Sequence, residues 1–237
     1  MAGGGAGVMA ITQPHAVRGM GGVGKSEAAR QYCAAWREEY PDGVFWVGAD
    51  TEAQLYGDIR RLCGSVGELK GLGVEEVSDM DVVLDGVRRW LSSKRRRGVL
   101  LVVDNADSKA MVSLVTRSFL PSRRWHGHVL VTTRLSSSVL SAASGGSMRC
   151  HSLGCLSVED GVKLLWRSGR DVDGVGEWTG DDGEGEDAAA VWLAGEEGLG
   201  GLPLALNHAG AWVRRGRGGF VAYKEAYVVE RGRMFAD

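Results

Sequence analysis

The sequence of 237 residues is poor in the features that build metal centres, membrane spans and secretory leaders. It has four cysteines without a CxxC pair. Its five histidines lack a matching Cys or His pair that would complete a metal site. We therefore interpret the cysteines as small buried residues in a reducing compartment. No run of about 18 apolar residues occurs, which predicts no transmembrane helix. Residues 1–8 lack a basic region followed by a long apolar stretch, which predicts no secretory signal. We accordingly expect a cytoplasmic protein with no membrane partner.

A large charge of one sign is also missing, because the formal net charge is -2. Without a basic field, and without basic residues interleaved with aromatic ones, the chain is not expected to bind nucleic acid. Hydrophobic residues make up 44% of the chain, which is enough for a packed core. Glycine is frequent, at 37 residues. A glycine-rich motif is therefore informative here only when its surroundings support it.

Short apolar runs alternate with amphipathic segments through most of the chain. Five runs predict strands, the last of them at an edge: 15–18, 44–47, 99–103, 129–133 and 148–153. Strands that alternate with helices are typical of a parallel sheet covered by helices, so we predict an α/β fold. We place this α/β domain at residues 1–155.

The remaining residues, 156–237, are predicted to form a small helical subdomain. Ser157 and Asp160 resemble a capping box at the start of a helix that runs through Trp166. A further helical region is predicted from Ala188 past Leu206. Residues 171–187 hold eight acidic residues, five glycines and no basic residue. We interpret that segment as a solvated, flexible insertion.

Residues 19–26 read GMGGVGKS and match the phosphate-binding pattern GxxxxGK[ST]. Glycines let backbone N–H groups turn towards phosphate oxygens, and the following helix adds its N-terminal dipole. A lysine in this pattern reaches the β- and γ-phosphates, and the following hydroxyl ligates Mg²⁺. The alternative is a flexible glycine turn. The candidate nucleotide-binding residues are Gly19, Gly21, Gly22, Val23, Gly24, Lys25 and Ser26. With the strand pattern, they predict a P-loop NTPase three-layer sandwich.

An acidic residue, Asp104, follows the apolar run 99–103. Ligands bind at the carboxyl ends of parallel strands, so Asp104 is a candidate to hold Mg²⁺ together with Ser26 and to serve catalysis. Its alternative role is a helix N-cap. A general base has to accept a proton near the γ-phosphate, which Asn105 cannot do. Asp107 is the other catalytic candidate, and a turn or cap role is its alternative.

Four motifs occur in the order of a known family. They are residues 19–26, LLVVDN at 100–105, VTTR at 131–134 and GLPLAL at 201–206. Together they resemble the NB-ARC domain of STAND-class P-loop ATPases, over roughly residues 15–225. The segment 44–52, VFWVGADTE, is similar to members that carry tetratricopeptide arrays. The resemblance implies a parallel sheet in which the Thr132 strand separates the Asp104 strand from the P-loop strand.

The resemblance also implies roles for two more residues. Arg134 would sense the γ-phosphate of ATP, although composition alone permits a surface arginine. Pro203 would pack near the adenine, and its simpler interpretation is a proline in the first turn of a helix. Asn105 stands where many members have a second aspartate. In this family ADP holds a closed state, and exchange for ATP opens it and permits oligomerisation, with slow hydrolysis.

Three functions follow as hypotheses. The first is an ATP/ADP-dependent signalling switch with Mg²⁺ as cofactor and with protein partners or self-association in the ATP state. The second is a degenerate interaction module that turns over no nucleotide. The third is a small-molecule P-loop kinase, for which the acidic segment 171–187 would make a poor lid over an anionic substrate.

Overall fold

The computed structural model describes residues 15–66, 79–93, 98–119, 127–169, 184–216 and 218–234. Within these ranges, five strands form one fully parallel sheet. The strands are β1 (His15–Arg18), β2 (Val44–Gly48), β3 (Leu100–Asp104), β4 (His128–Thr133) and β5 (Arg149–Ser152). Their order across the sheet is β2-β3-β4-β1-β5. The α/β prediction is confirmed, and β4 lies between β3 and β1 as the resemblance implies.

Nine α-helices and one short 3-10 helix (Arg37–Glu39) accompany the sheet within the same ranges. The α-helices are α1 (Lys25–Ala35), α2 (Glu52–Ser65), α3 (Met80–Leu91), α4 (Lys109–Phe119), α5 (Ser137–Ser144), α6 (Val158–Gly169), α7 (Glu184–Ala194), α8 (Pro203–Arg214) and α9 (Phe220–Met234). The cap predicted for α6 is seen in one of its two hydrogen bonds, because the Asp160 N–H donates to Ser157 Oγ at 3.1 Å, while the Asp160 carboxylate accepts from the Ser157 hydroxyl at 2.9 Å. Among the described helices, none has both the length and the apolarity needed to cross a bilayer.

The described chain divides into two compact units. The first lies within residues 15–19 and 25–153, and the second within residues 20–24 and 154–234. In the first unit, one face of the sheet packs Val102 and Leu130 against Ala29 of α1. The other face packs β3 and β4 against helices that include α2 and α4. Helices on both faces give the three layers of the sandwich.

The second unit has a helical core of its own. Leu165, Leu193, Leu206 and Phe220, one from each of α6 to α9, are all fully buried. The Trp166 and Phe220 rings meet edge to face, with centroids 4.8 Å apart. These four helices therefore bury a shared apolar centre.

The helical region predicted from Ala188 past Leu206 contains two helices, α7 and α8, and the connection between them includes Gly200 and Gly201 with φ of 60° and 64°. One predicted boundary in the second unit is wrong. Residues 184–187 of the predicted insertion 171–187 belong to α7, where acidic residues suit the positive N-terminal end of a helix. Residues 171–183 lie outside the described ranges.

The expectation of small buried cysteines holds for only part of the set. Cys63 is buried, Cys33 and Cys150 are half-buried, and Cys155 is exposed. Cys155 lies in the connection between β5 and α6, where no helix or strand covers it. All four cysteines are free thiols.

A polar cluster lies at the first residues of β1 and β4, His15 and His128. His15 Nδ1 is 2.7 Å from His151 Nε2, and the two rings stack with centroids 4.9 Å apart. His128 Nδ1 lies 3.0 Å from the Tyr40 hydroxyl. Burial lowers the pKa of His15, helped by the neighbouring His151, and burial also lowers the pKa of His128. Both imidazoles are thus favoured in their neutral form.

Candidate nucleotide-binding site

Residues 19–24 connect the end of β1 to the start of α1. Gly22 and Gly24 adopt φ of 77° and 95°, a conformation that side chains with a Cβ rarely take. A Cβ at Gly24 would meet nothing within 4 Å, so the requirement for glycine there is one of backbone angle. The loop delivers Lys25 and Ser26 into the first turn of α1, where free N–H groups attract anions.

Lys25 is buried, with 7% of its surface exposed, and its ammonium donates to the carbonyl oxygen of Gly19 at 2.9 Å. Burial lowers the pKa of Lys25, against the attraction of Asp107 and Asp104, which raises it, while Arg134 lowers it further. A bound polyphosphate would supply the negative charge that favours the ammonium. Lys25 is therefore a cation placed for an anionic ligand.

A shared carboxylate oxygen joins three separate elements. Ser26 Oγ donates to Asp104 Oδ1 at 2.8 Å, and Thr132 Oγ1 donates to the same oxygen at 2.5 Å. Asp104 is 8% exposed and Thr132 is fully buried. The strand order explains the arrangement, because β4 carries Thr132 between the strand of Asp104 and the strand that leads to Ser26.

The chemistry of this donor set suits Mg²⁺. Ser26 and Asp104 offer a hydroxyl and a carboxylate oxygen, which are the hard ligands that Mg²⁺ prefers. Within the described residues, no three His, Cys, Asp or Glu side chains gather into a metal-binding group. Mg²⁺ at a nucleotide site needs no such group, because waters and phosphate oxygens complete its shell.

Asp107 and Arg134 form a second polar group beside Lys25. Asp107 Oδ1 accepts from the Arg134 backbone N–H at 2.6 Å, and Oδ2 accepts from Arg134 Nε at 2.5 Å. These contacts raise the pKa of Arg134, first through the hydrogen bond and then through the charge of Asp107. Since both oxygens of Asp107 accept from one arginine, this arrangement favours an orienting role for Asp107.

The remaining site candidates lie as follows. Asn105 has φ of 63°, and its N–H donates to Thr132 Oγ1 at 2.9 Å. Pro203 occupies the first turn of α8, as its simpler interpretation predicts. Within the second unit, the next residue, Leu204, donates its N–H to the carbonyl oxygen of Gly22 at 3.1 Å.

Sequence reasoning missed the role of Thr132 and the pairing of Asp107 with Arg134. A signal for the first was available, because a polar residue inside the apolar run of β4 has to find a buried partner. No local signal announced the second, since the two residues follow different strands and lie 27 positions apart.

Comparisons with known proteins agree with this geometry. The sequence profile of the NB-ARC domain family matches residues 9–172. A nucleotide-binding leucine-rich repeat (NLR)-like protein of Hyaloscypha variabilis is 29% identical over 132 residues. That match covers 50% of this chain and 13% of the relative, so the chain spans a small part of that protein's length.

Several solved structures have the same fold as this chain. The ORC2 protein of Aeropyrum pernix, solved as ADPNP and ADP complexes, matches with a TM-score of 0.57. The ORC1 protein of the same organism, solved with DNA, gives 0.54, and a RuvB mutant of Thermotoga maritima gives 0.52. Each is 15% identical and covers 92% or 93% of this chain, which spans 60% to 63% of theirs. At this identity the likeness shows a shared P-loop α/β fold.

Proposed function

Because the chain belongs to the NB-ARC family, we propose that it is an ADP- and ATP-binding switch whose signalling state follows the nucleotide held by residues 19–26. The family and the P-loop fold make the chain a nucleotide-binding NTPase module. The observation that carries the proposal is the 2.8 Å hydrogen bond between Ser26 and Asp104, with Lys25 on the adjoining turn. It brings a hydroxyl, a carboxylate and a buried ammonium to one end of the sheet.

In this proposal each candidate residue has its own part in binding the nucleotide. Lys25 binds the phosphates, and Ser26 and Asp104 hold Mg²⁺. When bound, Mg²⁺ neutralises phosphate charge and fixes the phosphate oxygens. Gly19, Gly21, Gly22, Val23 and Gly24 supply the backbone of the cradle, and Pro203 is proposed to pack near the adenine.

Discrimination between ATP and ADP is assigned to Arg134. A switch requires the two nucleotides to bind its two conformations with different affinities. Arg134 is paired with Asp107, so a γ-phosphate has to compete with that carboxylate for the guanidinium. Asp107 therefore opposes the ATP state. Both carboxylate oxygens of Asp107 are engaged by Arg134, so we assign the proposed slow hydrolysis mainly to Asp104.

The wider biology follows the family by analogy. We propose a cytoplasmic signalling protein with protein partners or self-association in the ATP state. A tetratricopeptide array elsewhere in the same protein belongs to this proposal, on the likeness of residues 44–52 to members that carry one. The name of the NLR-like relative supports the nucleotide-binding part of this proposal.

Isothermal titration calorimetry with ADP and a slowly hydrolysed ATP analogue tests the proposal. Wild type should bind both nucleotides with Mg²⁺ present, and Lys25→Ala should weaken both at least about 100-fold, equivalent to about 2.7 kcal/mol. Equal and weak heats from both proteins would instead favour a degenerate interaction module. Rapid ATP-dependent phosphorylation of a small acceptor would favour a kinase.

A further inference from the structure

We infer that Thr132 is a positioning residue that sets the affinity of the site for magnesium-bound nucleotide by fixing the Asp104 carboxylate. The inference rests on the proposed function, and it assigns a task to a side chain that binds neither nucleotide nor metal. Thr132 is fully buried in β4. Burying a hydroxyl is unfavourable unless it is well bonded, so its partners show what the position requires.

The Thr132 hydroxyl has two hydrogen-bond partners, and together they determine where its proton points. The N–H of Asn105 donates to Thr132 Oγ1 at 2.9 Å. A backbone N–H can only donate, so the threonine oxygen is the acceptor in that bond. Its own proton is then free to point to Asp104 Oδ1, at 2.5 Å. The direction of the bond to the carboxylate follows without ambiguity.

Thr132 and Ser26 meet the same carboxylate oxygen from different surroundings. Ser26 is half-buried and follows the phosphate loop, whereas Thr132 belongs to a central strand bonded on both sides. As a proposed metal ligand, Ser26 has to serve the cation as well as Asp104. Thr132 is not a proposed metal ligand, so its hydrogen bond holds the orientation of the Asp104 carboxylate whether or not nucleotide is present.

The contact with Asn105 extends this control to the backbone. Among the described non-glycine residues, Asn105 alone has positive φ, and asparagine tolerates that conformation better than most residues. The Thr132 oxygen accepts the N–H at this bend, directly after Asp104. One side chain therefore anchors the carboxylate and the peptide that follows it.

The neighbouring Thr133 provides a matched control. It is also fully buried, and its hydroxyl donates to the Ala106 carbonyl oxygen at 2.7 Å and accepts from the Leu135 N–H at 3.2 Å. Alternation along β4 directs it to the opposite face from Thr132. Replacing either threonine by valine thus removes a buried hydroxyl with two partners, but only one of the two contacts Asp104.

The test measures ADP affinity by calorimetry, with Mg²⁺ and again with EDTA. We expect Thr132→Val to weaken binding with Mg²⁺ about 10-fold or more and to change binding with EDTA by less than about threefold. Thr132→Ser restores the hydroxyl and should return to within about threefold of wild type. Thr133→Val should keep the wild-type ratio of the two affinities, even if urea unfolding shows that it is equally destabilised.

The possible results distinguish failure of this inference from failure of the proposed function. If Thr132→Val keeps the wild-type ratio of Mg²⁺ to EDTA affinities, the inference is overturned and the proposed function stands. If wild type itself binds no nucleotide, the proposed function fails and this inference fails with it. Should Thr132→Val not fold, Thr132→Cys replaces it, because a thiol is a weak donor of similar size. A wild-type affinity ratio in that variant would equally overturn the inference.

Discussion

Replacing Lys25 by methionine is expected to stabilise the nucleotide-free protein while removing nucleotide binding. The ammonium of this buried residue donates to the Gly19 carbonyl oxygen at 2.9 Å. Such a charged hydrogen bond contributes about 1.5–3 kcal/mol, whereas burying an ammonium costs several kcal/mol. Burial is the largest of the causes that shift the pKa of Lys25. We therefore expect a net gain of about 1 kcal/mol in the free energy of unfolding, at the low end for apolar replacement of buried charges.

The size of this stability difference should depend on pH in a defined way. Burial lowers the pKa of Lys25 below its ordinary value of 10.5. Between the lowered pKa and 10.5 the folded protein binds fewer protons than the unfolded chain, so wild-type stability rises with pH there. The advantage of Lys25→Met should be fully present below the lowered pKa and should shrink as the pH rises from there towards 10.5.

Urea unfolding followed by tryptophan fluorescence, at about pH 7.5 and about pH 9.5, measures both effects. Lys109→Met is the control, because Lys109 is exposed at the start of α4 and its replacement should change stability by less than about 0.5 kcal/mol. ADP at about 100 times its Kd should add about 2.7 kcal/mol to wild type and nothing to Lys25→Met. A methionine variant less stable than wild type near neutral pH, with Lys109→Met unchanged, would refute the reasoning.

Three further predictions address the loop, the histidine cluster and the arginine. Gly24→Ala should cost about 1–2 kcal/mol for its φ of 95° and lower ADP affinity about 10-fold. Gly145→Ala, at φ of 60° and also in open space, should cost a similar amount without changing affinity, and calorimetry separates the two. Because burial lowers the pKa of His15, stability should fall as the pH drops below 6.5. His15→Gln should flatten that decline in urea midpoints, and parallel pH profiles would contradict it. Asp107→Ala should release Arg134 and raise the ratio of ATP to ADP affinity about fivefold, and an unchanged ratio in competition binding would argue against their opposition.

Much of the sheet could be predicted because its strands are short, apolar and bounded by glycine, proline or acidic residues. The run at 15–18 is β1 residue for residue, and the run at 99–103 is shifted by one from β3. A strand buried on both faces leaves a continuous apolar signature that needs no tertiary information. The prediction of the parallel sheet is therefore confirmed strand by strand.

Two helices of the first unit escaped prediction for a local reason. The sequence of α4 holds Val112, Val115 and Thr116, residues that also suit strands. Its helical period emerges only from the positions that the structure buries, Met111, Val112, Val115 and Phe119. The second, α5, has eight residues and is rich in serine, so its apolar period is too short to recognise.

The candidate site, like the fold, was predictable only in part. Lys25, Ser26 and Asp104 could be proposed because each follows a recognisable motif, and their roles stay predictions until nucleotide binding is measured. The pairing of Asp107 with Arg134 depends on how the connections after β3 and β4 approach each other. That approach is set by strand register and by packing, which no spacing in the sequence encodes.

The placement of β4 between β3 and β1 has a consequence for how the protein matures. Ser26 and Asp104 lie 78 positions apart, and Asp104 and Thr132 lie 28 apart. No contiguous stretch of chain can bring the three together, so long loops have to close before the candidate magnesium site exists. During refolding, nucleotide would then capture only molecules whose central strands have already joined. A growing polypeptide would acquire this affinity only after β4, the last of these three strands along the chain, had been synthesised.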